Sequence, residues 1–246
     1  LVNLFLKKPL QAGEELEISG DDFHYLFRVL RLERGQQLCI LDGQGGVFQA
    51  QIEESGGKKI RVLLEKQLEI DNEPRLRINL LQALPKKDRF ETVLEKGTEI
   101  GLSSFTPLYT RRTVKKIKES SLPQRLQRWK NIVQNSAQQS GRTILPRVNS
   151  PLEWDQIPGL MPHYDLKLWA WENSDNSLNS IWEGGQKYKN VLLVAGPEGG
   201  FSSQEIEELH GWGFYDFSLG PRTLRSDTAG IISGAIILHL TGDMGE

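Results

Sequence analysis

The rhythm of hydrophobic and polar positions changes near residue 72. Before that point apolar residues come in short runs, at Leu38 to Leu41, Val47 to Ile52 and Ile60 to Leu64. They are rich in β-formers, and glycine turns at 42–46 and 55–57 separate them, which predicts a small barrel or sandwich. One helix interrupts this pattern, with Phe23, Leu26, Phe27 and Leu30 at helical spacing and Ser19 or Asp21 as its cap. Asp71-Asn72-Glu73-Pro74 reads as a boundary, so domains over 1–72 and 73–246 are expected.

Beyond the boundary strands and helices alternate. Ile78 to Leu84 has a buried-strand pattern, and a helix follows with Phe90, Val93, Leu94, Gly97 and Ile100 on one face. Phe105 to Tyr109 reads as a strand, and Leu122 to Gln139 as a basic helix with Leu126, Trp129, Ile132 and Val133 inward. Leu166 to Trp171, Val191 to Ala195 and Phe214 to Leu219 are further strands. Such alternation predicts an α/β domain, a parallel sheet with covering helices. A last helix, Thr228 to Leu240, carries Ile231, Ile232, Ile236, Ile237 and Leu238 and is too apolar all round for a one-sided surface helix.

Composition narrows the class. With 38% hydrophobic and 25% charged residues in 246, disorder and fibres are excluded. The single cysteine, Cys39, rules out an intrachain disulfide or a multi-thiolate metal site. Four histidines with no H-x-x-x-H pair argue against a zinc hydrolase, and no metal is expected. The apolar run Ala229 to Leu240 is shorter than the roughly 20 residues of a membrane span. Leu1 to Leu6 shows no signal-peptide pattern, so a cytoplasmic setting without membrane contact is expected. The net charge of −2 conceals a segregation: between Pro107 and Arg147 lie ten basic residues and one acid, Glu119. This is the footprint of a polyanion partner or, more plainly, a solvated helix face.

Two loops could carry chemistry. After the strand Val191 to Ala195 comes Gly196-Pro197-Glu198-Gly199-Gly200, then Ser202 and Glu205 in a capping box. After the next strand comes Leu219-Gly220-Pro221-Arg222-Thr223-Leu224-Arg225, then a helix start at Asp227-Thr228. Glycine-rich turns at the carboxyl ends of parallel strands are where α/β proteins bind ligands, although either could be a tight turn and nothing more. Neither is a Walker A or G-x-G-x-x-G loop.

Together these loops resemble the SPOUT class of methyltransferases, and within it the ribosomal RNA small-subunit methyltransferase E family. His24-Tyr-Leu-Phe-Arg-Val-Leu-Arg31, Lys96-Gly-Thr-Glu-Ile-Gly101 and Gln139-Ser-Gly-Arg142 resemble three further motifs of that family, in order along the chain. Asp227 stands where the family usually has glutamate.

The resemblance implies a PUA-like β-barrel joined to an α/β domain with a trefoil knot, working as a homodimer. It implies methyl transfer from S-adenosylmethionine to N3 of a uridine in small-subunit ribosomal RNA, free or in the assembled subunit. Cofactor contacts would come from Trp171, Gly196, Glu198, Gly199, Gly200, Leu219, Gly220 and Leu224, mostly through backbone. Trp171 could equally be core, and Glu198 could cap its own turn. RNA contacts would come from His24, Arg28, Arg31, Arg111, Arg112, Lys115 and Lys116, with His24 alternatively a structural residue. Arg142, Arg222 and Arg225 are the catalytic candidates, as fixed cations for a developing base anion. The rival readings are a SPOUT enzyme acting on tRNA or a ribose 2′-hydroxyl, and a catalytically silent RNA-binding assembly factor.

Overall fold

Two-residue alternation becomes a sheet at the amino-terminal end. The computed structural model describes residues 1–86, 88–113, 116–182 and 188–245, in two units. The first comprises Leu1–Glu73 together with Ala137–Leu145. Its strands are β1 (Asn3–Phe5), β2 (Glu15–Ser19), β3 (Gln37–Leu41), β4 (Val47–Gly56) and β5 (Lys59–Leu68), in the order β1-β3-β4-β5-β2. β1 runs parallel to β3, and the other pairings are antiparallel. In β2, Leu16 and Ile18 point inward while Glu15, Glu17 and Ser19 face water. They meet Leu4, Leu26, Leu38, Ile40, Phe48 and Val62 in one core. Two register shifts between β4 and β5 curl the sheet.

The expected helix after β2 has an unexpected form. A short α1 (Gly20–Phe23) runs on as a π-helix over His24–Val29. The wider turn keeps Phe23 and Leu26 buried and leaves His24, Tyr25, Arg28 and Val29 exposed. Just beyond its end stands Arg31, the only described non-glycine residue with positive φ, at 55°. That conformation costs an L-residue about 1–2 kcal/mol.

Residues 137–145, expected in the second domain, complete the first unit. Ala137 and Leu145 pack with Phe5, Cys39, Leu41, Val47 and Leu68. Gln138 and Asn3 exchange side-chain-to-backbone hydrogen bonds, and the Gly45 and Leu145 amides donate to the carbonyls of Thr143 and Gly43. Arg142 lies at the centre of this segment. Its guanidinium, 5% exposed, donates to the Glu73 carboxylate through Nε and Nη2 at 2.7–3.1 Å. The amides of Thr143 and Ile144 donate to the same carboxylate.

The second unit, Pro74–Ser136 and Pro146–Glu246, holds the alternating pattern. Its elements are β6 (Arg77–Ala83), α2 (Arg89–Ile100), β7 (Ser104–Tyr109), α3 (Leu122–Ser140, whose last turn lies in the first unit), β8 (Arg147–Val148), β9 (Leu152–Glu153), α4 (Ile157–Leu160), β10 (Leu166–Ala170), α5 (Leu178–Trp182), β11 (Asn190–Ala195), α6 (Ser203–Gly211), β12 (Tyr215–Phe217) and α7 (Ser226–Leu240). The strands form one parallel sheet ordered β12-β10-β11-β6-β7-β8, with β9 also beside β7. Both faces are covered, as the near-continuous burial of β6, β7 and β11 requires. On one face Ile78, Leu80, Leu168 and Leu193 meet α2, α3 and α7 through Phe90, Trp129 and Ile237. On the other, Leu81, Trp169, Leu192 and Val194 meet Ile157, Phe201 and Leu209. Among the described residues no helix is long and apolar enough to cross a membrane.

The Glu73 pair makes the first unit acid-sensitive. Burial alone would raise this carboxyl, but the hydrogen bonds and charge of Arg142 and the amides of Ile144 and Thr143 outweigh it and hold it below the ordinary 4.5. A carboxyl depressed in the folded state stabilises above its unfolded value, and that contribution is lost as pH falls through the folded value. Glu73→Ala, which removes the carboxylate from a buried guanidinium, is expected to cost the unit about 3–5 kcal/mol in denaturant unfolding at neutral pH and to flatten its acid dependence. An unchanged midpoint would refute this role.

Candidate functional site

Parallel pairing brings the two glycine loops together. β10 pairs with β11 through Trp169↔Val194 and with β12 through Ala170↔Phe217, while β11 pairs with β6 through Ala195↔Gln82. The carboxyl ends of all four strands therefore lie at one edge. From β11 the chain enters residues 196–202 and then α6; from β12 it enters 218–225 and then α7.

A hydroxyl fastens the two loops. Ser226, buried in the first turn of α7, donates to the Gly196 carbonyl at 2.6 Å and accepts from Gln82 Nε2 at 3.0 Å. Gln82 is fully buried at the end of β6, and its Oε1 has no hydrogen-bond partner among the described residues. Asp227 Oδ1, one residue beyond Ser226, is likewise buried and unpartnered. Sequence reasoning missed Gln82 and Ser226. Gln82 had a signal, being the one polar residue in Leu80-Leu-Gln-Ala-Leu84.

The glycines of the first loop differ in why they are glycine. A Cβ on Gly196 would stand 2.9 Å from the Phe201 ring. Gly200 has φ +68°, in the left-handed region. A Cβ on Gly199 would meet only Arg112 Cδ, at 3.6 Å, so nothing in the chain demands glycine there. In the second loop Gly220 has φ +97° and open space around it. Leu219 and Leu224 are half-buried beside it. The buried Glu205 carboxylate accepts from Ser202 N and Oγ and from the Arg111 amide at 2.8–2.9 Å. The capping box was legible in sequence; the reach to Arg111 was not.

The predicted residues divide by position. Gly196, Gly199, Gly200, Leu219, Gly220 and Leu224 are in the two loops at one sheet edge. Arg222 and Arg225 are exposed there, and no ion pair involves them among the described residues. Glu198 turns away to accept from the Lys86 amide and Arg89 Nη1, both at 3.3 Å. Trp171 stacks on Trp169, with centroids 5.2 Å apart, and meets the edge of His210, on the face carrying α6. Leu219 packs on the opposite face of the sheet. Arg142, a catalytic candidate by its motif, belongs to the first unit and pairs with Glu73. His24, Arg28 and Arg31 form an exposed group on and after the π-helix.

In the basic segment Arg112 donates to the Gly199 carbonyl, and Arg111 Nη2 stands 3.9 Å from Glu208. Lys116 pairs with Glu153 at 2.6 Å, and Lys115 lies outside the described residues. Among the described residues no cluster of three or more His, Cys, Asp or Glu side chains could hold a metal ion.

Comparison with known proteins gives this geometry a context. The model of the RNA methyltransferase domain matches residues 72–238, and that of the RNA methyltransferase PUA domain matches residues 18–65. A ribosomal RNA small subunit methyltransferase E from Synechocystis is 35% identical over 222 residues, 89% of this chain and 71% of its own. One from Bacillus subtilis is 27% identical over 240 residues, 96% and 94% of the two chains. A putative methyltransferase from Legionella pneumophila, solved in complex with the bound cofactor SAM, superposes with a TM-score of 0.88 at 33% identity over 97% of each chain. The Neisseria gonorrhoeae ribosomal RNA small subunit methyltransferase E, bound to S-adenosyl methionine, gives 0.89 at 26% identity over 98% of each. The curled five-strand unit and the parallel α/β unit are thus a PUA-like domain and a methyltransferase domain of the SPOUT type.

The three glycines of the first loop should respond differently to alanine. Gly196→Ala is expected to cost about 1–3 kcal/mol by overpacking on Phe201. Gly200→Ala should cost about 1–2 kcal/mol through its backbone conformation. Gly199→Ala should stay within about 0.5 kcal/mol of wild type. Thermal unfolding of the three variants ranks them, and a Gly199 variant as unstable as the others would contradict the loop geometry.

Proposed function

We propose, since the chain belongs to the ribosomal RNA small subunit methyltransferase E family, that it transfers a methyl group from S-adenosylmethionine to N3 of a uridine in small-subunit ribosomal RNA. The observation that carries this reading is the pair of glycine loops at one sheet edge, joined through Ser226. A silent RNA binder has no use for that construction. An RNA substrate of ribosome assembly also implies a cytoplasmic protein.

The residues present fit the cofactor. Gly199 meets only Arg112 in van der Waals contact, Gly200 and Gly220 hold left-handed backbone that a side chain would strain, and Leu219 and Leu224 offer half-buried apolar surface. When bound, S-adenosylmethionine supplies the methyl group on a cationic sulfur. The chain's own task is the imide proton. Neither loop contains a histidine, the usual base near neutral pH. Arg222 and Arg225 offer fixed charge that stabilises the uridine anion as it forms and orients it. Arg142, buried against Glu73, is left out of this role.

The test is calorimetric titration with S-adenosylmethionine in metal-free buffer, followed by single-turnover methylation of small ribosomal subunits from pH 6 to 9. Wild type should bind the cofactor, and Gly199→Val should keep its fold and lose binding. Alanine at the responsible arginine, 222 or 225, should lower the rate about 10²–10³-fold with cofactor affinity intact, and the rate should rise with pH. Near wild-type rates in both variants would sink the anion mechanism and leave Asp227, with its unpartnered Oδ1, as the candidate base.

A homodimer completes the reading. α7 buries Gly230, Ser233, Gly234, Ile237 and Leu238 in its own unit but leaves Ile232 and Ile236 39% and 36% exposed, one turn apart. These two supply the apolar core of an interface. Light scattering at low micromolar concentration should give a dimer, and Ile232→Glu with Ile236→Glu a monomer; a monomeric wild type overturns it. The family's trefoil knot is part of the same proposal. It is supported by the way Trp171 N, Ser218 N and Ser226 Oγ bond to Phe217, Asn176 and Gly196 across three loops, and an experimental chain trace decides it.

A further inference from the structure

A cavity of about 780 Å³ opens beside the first glycine loop, within the second unit. It takes Pro197 and Glu198 from that loop, but its lining includes no residue of the Gly220 loop. A cofactor cradled by both loops would therefore lie next to this cavity rather than in it. The volume falls in the range of small-molecule and nucleotide pockets, roughly 300–1,000 Å³.

The charge of the lining is one-sided. Lys86, Arg112, Lys116, Lys118, Arg125 and Arg128 face it, against Asp88, Glu91 and Glu198. Two of the acids are occupied: Glu91 by Arg128 at 2.7 Å, and Glu198 by Arg89 at 3.3 Å. Lys116 is taken by Glu153. Among the described residues no ion pair involves Lys86, Lys118 or Arg125, and Arg112 meets only the Gly199 carbonyl. Lys86 and Lys118 are exposed, so no packing demand accounts for them. The wall is apolar. Leu84, Pro85 and Ile117 line it, Ile117 held by a hydrogen bond from its amide to the Tyr109 hydroxyl, and Arg125 lies over the Trp129 ring, 5.8 Å from its centroid.

Unpaired cations around an apolar concavity match a phosphodiester strand whose bases are unstacked. A duplex keeps its bases inside and offers only its outer backbone, so the wall would go unused. We infer that this cavity seats single-stranded RNA flanking the methylated nucleotide, with phosphates on Lys86, Arg112, Lys118 and Arg125 and a base against Pro85 and Ile117. The inference rests on the RNA-methyltransferase reading above and adds to it a site, a strandedness and two cations, Lys86 and Lys118.

The experiment compares wild type, Lys86→Ala/Lys118→Ala and the exposed control Lys130→Ala. Fluorescence anisotropy follows a labelled oligouridylate of about twelve nucleotides over a range of salt. The double variant should bind about ten-fold more weakly at low salt, and the log–log salt slope should fall by about 1.4, or 0.7 for each lost phosphate contact. Lys130→Ala should match wild type, an RNA duplex of equal length should compete poorly, and calorimetry should give the double variant wild-type affinity for S-adenosylmethionine. Unchanged RNA affinity and slope in the double variant, equal competition by the duplex, or a loss of cofactor affinity would each overturn the inference. A wild type that neither binds the cofactor nor methylates small subunits fails earlier and separately, and takes the underlying reading with it.

Discussion

One hydroxyl, that of Ser226, governs the geometry where the carboxyl ends of the parallel strands meet the two glycine loops. It donates to a carbonyl at the end of β11 and accepts from a buried amide at the end of β6, while its backbone begins α7. Away from water each of these bonds is strengthened, and each partner left alone would carry a desolvation penalty. The two loops therefore cannot drift independently. Gly196 must stay close enough to pack on Phe201, and the turn that follows needs the left-handed Gly200 to reach the Ser202 cap.

Charge is distributed less generously than a count suggests. Of the ten cations between Pro107 and Arg147, Arg111, Lys116, Arg128 and Arg142 are paired with Glu208, Glu153, Glu91 and Glu73, acids that all lie outside the segment. Arg112 is turned toward the Gly199 carbonyl and Arg125 toward Trp129. Part of the field left over lies around one concavity, at Arg112, Lys118 and Arg125. Lys86, distant in sequence from the basic block, joins it there.

Periodic features were legible in the sequence. The short β-former runs of β3, β4 and β5, the apolar runs of β6 and β11, and the Ser202–Glu205 capping box each depend on residues within a few positions of one another. What escaped depends on distant partners. Arg142 reads as a catalytic candidate, and its pairing with Glu73, 69 residues away, lies beyond any local pattern. Glu198 sits in a ligand-type motif, yet its carboxylate is held by Arg89. Trp171 ends a strand, and pleat parity sends its ring to the α6 face with Trp169. The π-helix at His24–Val29 has no composition of its own, so a 3.6-residue template read it as an ordinary helix.

The interleaving of the first unit has a consequence during synthesis. Its sheet strands end at Leu68, but the segment that covers β1 and neutralises Glu73 ends at Leu145. A nascent chain emerging at roughly 5–20 residues per second waits several seconds between the two. Through that interval the carboxylate of Glu73 lacks its guanidinium, and Phe5, Leu41 and Val47 lack the cover of Ala137. The amino-terminal module is thus finished only after the first strand–helix pairs of its neighbour have left the ribosome, and amino-terminal-first folding does not describe this chain.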